Sequence, residues 1–543
     1  MAPFNVDQRK YYPICITMFA LLSFFPGLGS RDLWAPVEPR YAEIVRVMFT
    51  NGEWILPTVN GDLYSDKPIL YFWIALIAAK LTGGVSEWAV RLPAALGGVG
   101  FVLATYWLGR DLFNLRVGVI SAVVVATSHR VMWEARWAHV DTLFGAFFLL
   151  AIYFGARALF AGRKSGPVLL AYVFMGLATL TKGLIGILLP GLLFVALLFV
   201  HRDWRVIRAA APIMGIAVFI LVAAPWLIAV HHASDGKWLT DFIYIHHWQR
   251  FVEGAGHRQP FYYYFTTLPA DFLPWTTFLV PALFAYGDVR RLRNEPQLQF
   301  CLLWFLTVFL FFSLSDTKRD LYLLPLLPTL AFLVANYLDD LERGCIAASA
   351  LYLWFSASVF GIVSASGIAL PLAAWIARPE AVGPILPTSI VLAAGGSLAT
   401  FMILRRRPIE AAVCVSAMMM LGIITASAWM FPYLERFKSD RNFALEISRI
   451  VPATAALYVY SDHMHDFNYY TQRAIIPVLN SAEEVAHLRV RAKKSYLLIK
   501  ERDLRSLPPA YVDSLVARRT RGNTTWILMA FDNQAKEFPS ISE

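Results

Sequence analysis

Residues 383–407 read GPILPTSIVLAAGGSLATFMILRRR, an apolar run without a charge that ends on three consecutive arginines. A helix rises ~1.5 Å per residue, so about 20 such residues cover the ~30 Å hydrocarbon layer of a bilayer. Arg405, Arg406 and Arg407 would then stop at a membrane surface. Upstream the pattern recurs almost without pause. Spans are expected at 11–29, 89–109, 115–130, 139–160, 167–181, 183–200, 208–230, 268–287, 298–313, 320–338, 345–373 and 409–430, about thirteen in all. The composition agrees, with 58% hydrophobic and only 16% charged residues among 543 and a mean hydropathy of +0.53. Water is not the solvent for most of this chain.

A further segment from Pro68 to Thr82 is apolar but short, and counting it as a span would invert every later loop. The positive-inside rule decides against it. Without it, Arg110 and Arg116, Arg163 and Lys164, Arg202, Arg205 and Arg208, Arg290, Arg291 and Arg293, and Arg405 to Arg407 all fall on one side, the cytoplasmic one. Asp339, Asp340 and Glu342 form an acidic exception on that side. The N-terminus is then cytoplasmic, with Tyr11 to Gly29 an uncleaved first span. The basic net charge of +10 belongs to these membrane-surface clusters, which excludes nucleic acid as the partner. Cys15, Cys301, Cys345 and Cys414 have no paired spacing and read as small core residues.

Beyond Pro432 the apolar runs shorten to strand length, at Ala456–Tyr460, Ser495–Lys500 and Thr525–Phe531. Helical stretches at Arg441–Ile450 and Ser481–Arg491 separate them. The expected architecture is a transmembrane unit over 1–431, with outer-face loops at 30–67, 128–139 and 231–271, followed by a small α/β periplasmic domain over 432–543. The tail's Asp462-His463-Met464-His465-Asp466 has metal-ligand types without a complete shell and reads as a polar loop.

Polar chemistry gathers in the outer loops. Glu38-Pro39-Arg40-Tyr41-Ala42 sets a carboxylate and a guanidinium at a helix start, where Glu38 could equally be a cap. Asp66-Lys67-Pro68 sets a lysine beside a carboxylate at the interface, as a phosphate ligand or a snorkelling anchor. Asp141 stands at the mouth of an apolar span, and an ionisable group at that depth is a functional candidate or an N-cap. Lys182 and Lys318 close other spans. Arg250-Phe251 and His257 lie in an aromatic stretch suited to a phosphate on a greasy chain.

In order along the chain, Glu38-Pro39-Arg40-Tyr41-Ala42, Asp66-Lys67-Pro68, Arg91-Leu92-Pro93, Ala135-Arg136 separated by four residues from Asp141, Thr181-Lys182-Gly183, Arg250-Phe251 with His257, and Ser315 with Lys318 resemble one family. It is the polytopic glycosyltransferases that draw sugar from a polyprenyl phosphate, namely the bacterial aminoarabinose transferases and the protein O-mannosyltransferases. The resemblance covers the first three quarters of the chain. It implies a C-type glycosyltransferase fold in the bacterial inner membrane and an active site at the periplasmic face. It implies an undecaprenyl-phosphate sugar as donor and a lipid A phosphate, or another envelope group, as acceptor. Glu38 and Asp141 would be catalytic, and Arg40, Lys67, Lys182, Arg250, His257 and Lys318 would hold the donor phosphate. The resemblance fixes no cofactor, and a divalent cation between Asp66 and His257 stays open because two ligands fix no metal. The family's first loop carries two adjacent acids, and here the first is Val37. The same donor class serves protein or glycan O-glycosyltransferases. A lipid flippase and a non-catalytic paralogue are the readings from other classes.

Overall fold

The computed structural model describes residues 10–160, 165–201, 212–249, 258–287, 295–462, 464–491, 494–507 and 514–532. Arg163, Lys164, Arg202, Arg205, Arg208, Arg250, His257, Arg290, Arg291, Arg293 and His463 lie outside them.

Among the described residues, eight helices are long and apolar enough to cross a membrane. A ninth span exists if the helices Tyr263–Asp271 and Thr276–Tyr286, bent by 114°, count as one. The other expected spans fall on shorter apolar helices: α1 (Tyr12–Phe24), α5 (Leu115–Ala126), α8 (Ser165–Lys182) and α9 (Ile185–His201). Apolar flanks that sequence counting adds to a span are spent here on caps and turns. The Asn114 side chain, for example, caps α5 by accepting from the Val117 amide at 3.0 Å. The segment that topology set aside forms a 13-residue helix, α3 (Leu70–Thr82), ~20 Å long and closed by left-handed Gly83.

Three spans form the centre. They are α4 (Glu87–Leu112), α7 (Asp141–Phe160) and the stretch Asp320–Glu342, which are 72, 78 and 83% buried, whereas Pro379–Leu404 is 17% buried. Small residues let α4 and α7 touch. A methyl group on Gly97 would lie 2.4 Å from the Leu143 nitrogen, and Thr142 Oγ1 donates to the Ala94 carbonyl at 2.8 Å. Backbone contact at this crossing fixes the first turn of α7, where Asp141 sits. At the far end of α4, Arg116 meets Asp339 at 3.3 Å. The acidic exception and its basic neighbours thus share one end of the bundle.

The opposite end of α4 carries α2 (Val37–Asn51), the ribbon β1 (Thr58–Val59) with β2 (Asp62–Leu63), and a C-terminal sheet. That sheet has the order β4-β3-β5-β7-β6, from β3 (Ala456–Tyr460), β4 (Val478–Leu479), β5 (Lys494–Lys500), β6 (Leu515–Arg521) and β7 (Thr524–Asp532). β3 pairs parallel with β4 and β5, while β7 is antiparallel to β5 and β6. The helices Arg441–Ile450 and Ala482–Arg491 fall where their periodicity placed them.

The sheet is tied to the first loop. Asp32 accepts from Ser439 Oγ at 2.8 Å and from Arg441 Nη1 at 2.9 Å, and its amide donates to Glu435 at 2.7 Å. The Leu33 amide donates to the Tyr470 hydroxyl at 2.9 Å. Asn60 accepts from Asn468 at 2.9 Å and from the Ile476 amide at 2.7 Å.

Candidate active site

A cavity of about 730 Å³ opens between these loops and the mouths of the central helices. Each wall follows from local geometry. On α2, Val37, Arg40 and Tyr41 line the cavity, positions i, i+3 and i+4 of one helical face. Glu38 is one residue out of phase, ~100° around the helix, and points behind the wall. There it is fully buried, and its two oxygens accept three bonds each. Oε2 takes Arg31 Nη1 at 2.6 Å, Arg91 Nη2 at 3.0 Å and the Trp34 amide at 3.1 Å. Oε1 takes Arg91 Nε at 2.7 Å, Arg31 Nη2 at 2.9 Å and the Ala138 amide at 3.0 Å. Burial alone would push the Glu38 carboxyl up, but Arg31 and then Arg91 more than offset it and hold it below the ordinary carboxylate range. Glu38 therefore braces loop 31–38 against the 134–140 turn and has no lone pair left for a substrate.

The loop ahead of α3 supplies Tyr64, Asp66 and Lys67. Trp238 Nε1 anchors it by donating to the Tyr64 carbonyl at 2.8 Å. Lys67 Nζ lies 3.1 Å from Asp66 Oδ1, and the same oxygen is 3.4 Å from His246 Nδ1. His246 Nε2 also meets Ser65 Oγ at 3.2 Å. Arg40 Nε is buried without a hydrogen-bond partner among the described residues.

Asp141 and Lys182 form the next wall as a buried ion pair at 2.5 Å. The Lys182 ammonium also faces the rings of Tyr322 and Phe144, 4.9 and 5.1 Å from their centroids. His139 Nδ1 lies 2.6 Å from Glu134, which also accepts from Arg130 at 3.1 Å. Burial pushes the His139 imidazole down, but the Glu134 carboxylate outweighs it and leaves it above its ordinary value. Leu184 in the turn before α9, Ile185 and Leu188 on α9, and Phe311 and Phe312 make a further wall apolar.

The last wall is the segment 315–319. Both ends have extended backbone, with Ser315 at ψ 139° and Arg319 at φ −134°, ψ 143°, and Thr317 bridges to Arg258. Extended chain alternates its side chains, so Ser315, Thr317 and Arg319 line the cavity. Lys318 turns away and is buried, donating to the carbonyls of Ser315 at 2.5 Å and Gln259 at 3.2 Å. It folds the loop and does not meet a ligand in the cavity. The cation on the cavity side is its neighbour Arg319. Of the other expected phosphate ligands, Arg40, Lys67 and Lys182 share the cavity, while Arg250 and His257 lie outside the described residues. Arg319, His139 and His246 complete the set.

Two groups could be asked to hold a metal. Asp66 is engaged with Lys67 and His246, and its expected co-ligand His257 is outside the described residues. The ligand atoms of Glu134, His139 and Asp141 lie within 4.8 Å of one another. These acids are already neutralised by Arg130, His139 and Lys182, so a cation would have to displace Lys182. The donor set fits an ion-pair network and not a resident metal.

The dolichyl-phosphate-mannose-protein mannosyltransferase family profile matches residues 66–228. The undecaprenyl phosphate-alpha-4-amino-4-deoxy-L-arabinose arabinosyl transferase of Edwardsiella ictaluri is 31% identical over 60% of this chain and 59% of its own. This chain thus matches about three fifths of that relative's length. The enzyme of the same name from Shewanella sediminis is 26% identical over 89% of this chain and 88% of its own. The crystal structure of ArnT from Cupriavidus metallidurans bound to undecaprenyl phosphate superposes with a TM-score of 0.78 at 20% identity. That superposition covers 97% of this chain and 99% of that one, so the two share a fold. This multi-pass membrane protein belongs to the family of polytopic glycosyltransferases that contains the aminoarabinosyl transferases and the dolichyl-phosphate-mannose-protein mannosyltransferases.

Proposed function

We propose that the protein transfers a sugar from undecaprenyl phosphate to an anionic envelope lipid, with aminoarabinose as the sugar and a lipid A phosphate as the acceptor. The observation that carries this reading is the cavity itself, where Arg40 and Lys67 stand beside the apolar wall of α9, Phe311 and Phe312. A phosphate on a long isoprenoid needs that pairing of charge and grease. An acceptor oxygen attacks the sugar C1, the bond from C1 to the phosphate oxygen breaks, and undecaprenyl phosphate leaves with the electron pair. Arg40 and Lys67 stabilise the charge growing on the leaving phosphate. Asp141, paired with Lys182, orients the attacking group or a sugar ammonium.

Val37 supports the choice of acceptor. A hydroxyl acceptor needs a free carboxylate to take its proton, whereas a phosphate is already anionic near neutral pH. Here Val37 presents an apolar side chain and Asp141 is committed to Lys182. A flippase is disfavoured because the charges gather at one end of the bundle and not along a path through it. By the charge count, the cavity end and residues 432–543 face the periplasm, residues 1–431 form the transmembrane unit in the inner membrane, and the N-terminus is cytoplasmic.

The test is mass spectrometry of lipid A from cells lacking the gene, complemented with wild type, Arg40→Ala or Lys67→Ala. Expected is a pentosamine on a lipid A phosphate that disappears on deletion and returns only with the wild type. A lipid A profile that deletion leaves unchanged would refute the assignment.

A further inference from the structure

The cavity holds more uncompensated positive charge than one leaving phosphate requires, and it holds it on two separate elements. Arg40 on α2 has Tyr41 and Tyr64 as electrostatic neighbours. Arg319 has instead His139 and Asp141. Among the described residues Arg319 makes no ion pair and no side-chain hydrogen bond, whereas Lys182 and Lys67 are each matched to a carboxylate. Two positions before it, Thr317 lines the cavity and is 4% exposed, and its buried hydroxyl has no hydrogen-bond partner among the described residues. A buried hydroxyl and a guanidinium left unpaired side by side cost desolvation that a ligand must return. Both are held outward by a dedicated device. Lys318, between them, is tied to two carbonyls on the opposite face, which fixes the alternation of the segment.

We propose that Thr317 and Arg319 form a second anion subsite, which binds the phosphate of the acceptor while Arg40 and Lys67 bind that of the donor. The assignment rests on the phosphate-acceptor reading above and deepens it. Asp141 stands electrostatically next to Arg319, so a phosphate seated on Thr317 and Arg319 is bounded by an anion. The guanidinium there offsets the repulsion that would otherwise drive an anionic nucleophile out of the site. A hydroxyl acceptor would leave Arg319 unmatched.

The experiment is native mass spectrometry of the detergent-purified full chain with three probes: undecaprenyl phosphate, diphosphoryl lipid A, and lipid A stripped of its phosphates. Arg319→Gln and Thr317→Val should each weaken diphosphoryl lipid A at least about tenfold, as loss of a charge-assisted contact implies. Both should keep undecaprenyl phosphate within about twofold, and Arg319→Lys should recover part of the loss. Retained donor binding also shows that the variants are folded. The proposal falls if either variant loses undecaprenyl phosphate instead, if lipid A binding ignores the substitutions, or if the wild type binds stripped lipid A as well as the phosphorylated form. Transfer measured in parallel separates the two claims. A wild type that moves no pentosamine yet loses phosphorylated lipid A selectively in Arg319→Gln keeps the subsite and refutes the activity. Transfer with unaltered binding in Arg319→Gln does the reverse.

Discussion

Replacing Glu38 with Gln should damage the fold before it damages the chemistry. Each carboxylate oxygen of Glu38 accepts three hydrogen bonds. Whichever one becomes the amide nitrogen turns a donor toward three donors. Arg31 and Arg91 are 5% and 0% exposed, and the side chain of Arg136, 7% exposed, bonds among the described residues only to backbone carbonyls and to Ser427. The substitution therefore removes the one carboxylate that Arg31 and Arg91 share. Removing one partner of a buried pair costs ~3–5 kcal/mol, because the remaining charge stays buried. At ~1.4 kcal/mol per decade, amides of residues 31–41 should exchange roughly 10²- to 4 × 10³-fold faster in the variant. Hydrogen-exchange mass spectrometry of the purified protein reads this directly, with the thermal midpoint as a second measure. Wild-type exchange and midpoint together with lost transfer would refute the bracing role and return Glu38 to the reacting groups.

Lys318→Met should cost ~1–3 kcal/mol by stranding the carbonyls of Ser315 and Gln259. It should lower turnover through misplacement of Thr317 and Arg319, and a variant with normal thermal midpoint and turnover would contradict this. Asp466→Asn tests the C-terminal sheet. Burial, then Asp440, raises the Asp466 carboxyl to about 7, and burial, against the pull of Arg521, raises Asp440 to about 6. Raised folded values mean that the stabilisation is complete below the unfolded value near pH 4 and is lost as pH rises through about 6 to 7. Intrinsic-rate-corrected exchange of β3 should therefore be faster at pH 8 than at pH 5, by an amount on the order of 2–4 kcal/mol for Asp466. Asp466→Asn should remove most of that difference, and an unchanged pH profile would show that the carboxyl is not the source. Asp32→Ala should increase tryptic cleavage at Arg436, Lys438 and Arg441 and lower turnover severalfold by loosening loop 31–38, whereas an unaltered digestion pattern would count against the tie.

The span pattern and the three strongest strands were legible because each is a repeated signal along the sequence. β6 was not, since an edge strand with mostly exposed side chains, Leu515–Arg521, has no apolar alternation to read. The site was legible as a set of segments and less so residue by residue. Val37 and Glu38 differ by one helical step, and Lys318 and Arg319 by one step of extended chain. A motif names the segment, but helical phase or strand parity decides which member faces the cavity. Glu38 drew attention as the charged member of its pair, yet burial against two arginines claimed it. Arg31 gave no signal of its own, because its partner is set by the meeting of three segments. His139 and His246 needed the third dimension, one to find Glu134 and the other to find Asp66.

The tie between Asp32 and residues 435–441 also has a temporal side. The two partners are separated by about four hundred residues. A ribosome adds ~5–20 residues per second, so the first loop is made at least ~20 s before the chain that holds it in place. During that interval Asp32 has neither Ser439 nor Arg441, and loop 31–38 ahead of α2 has only its brace through Glu38 while the later membrane helices insert one after another. Every residue that lines the cavity has been translated by Tyr322, so all its walls exist before the segment that fastens the loop ahead of α2 is made.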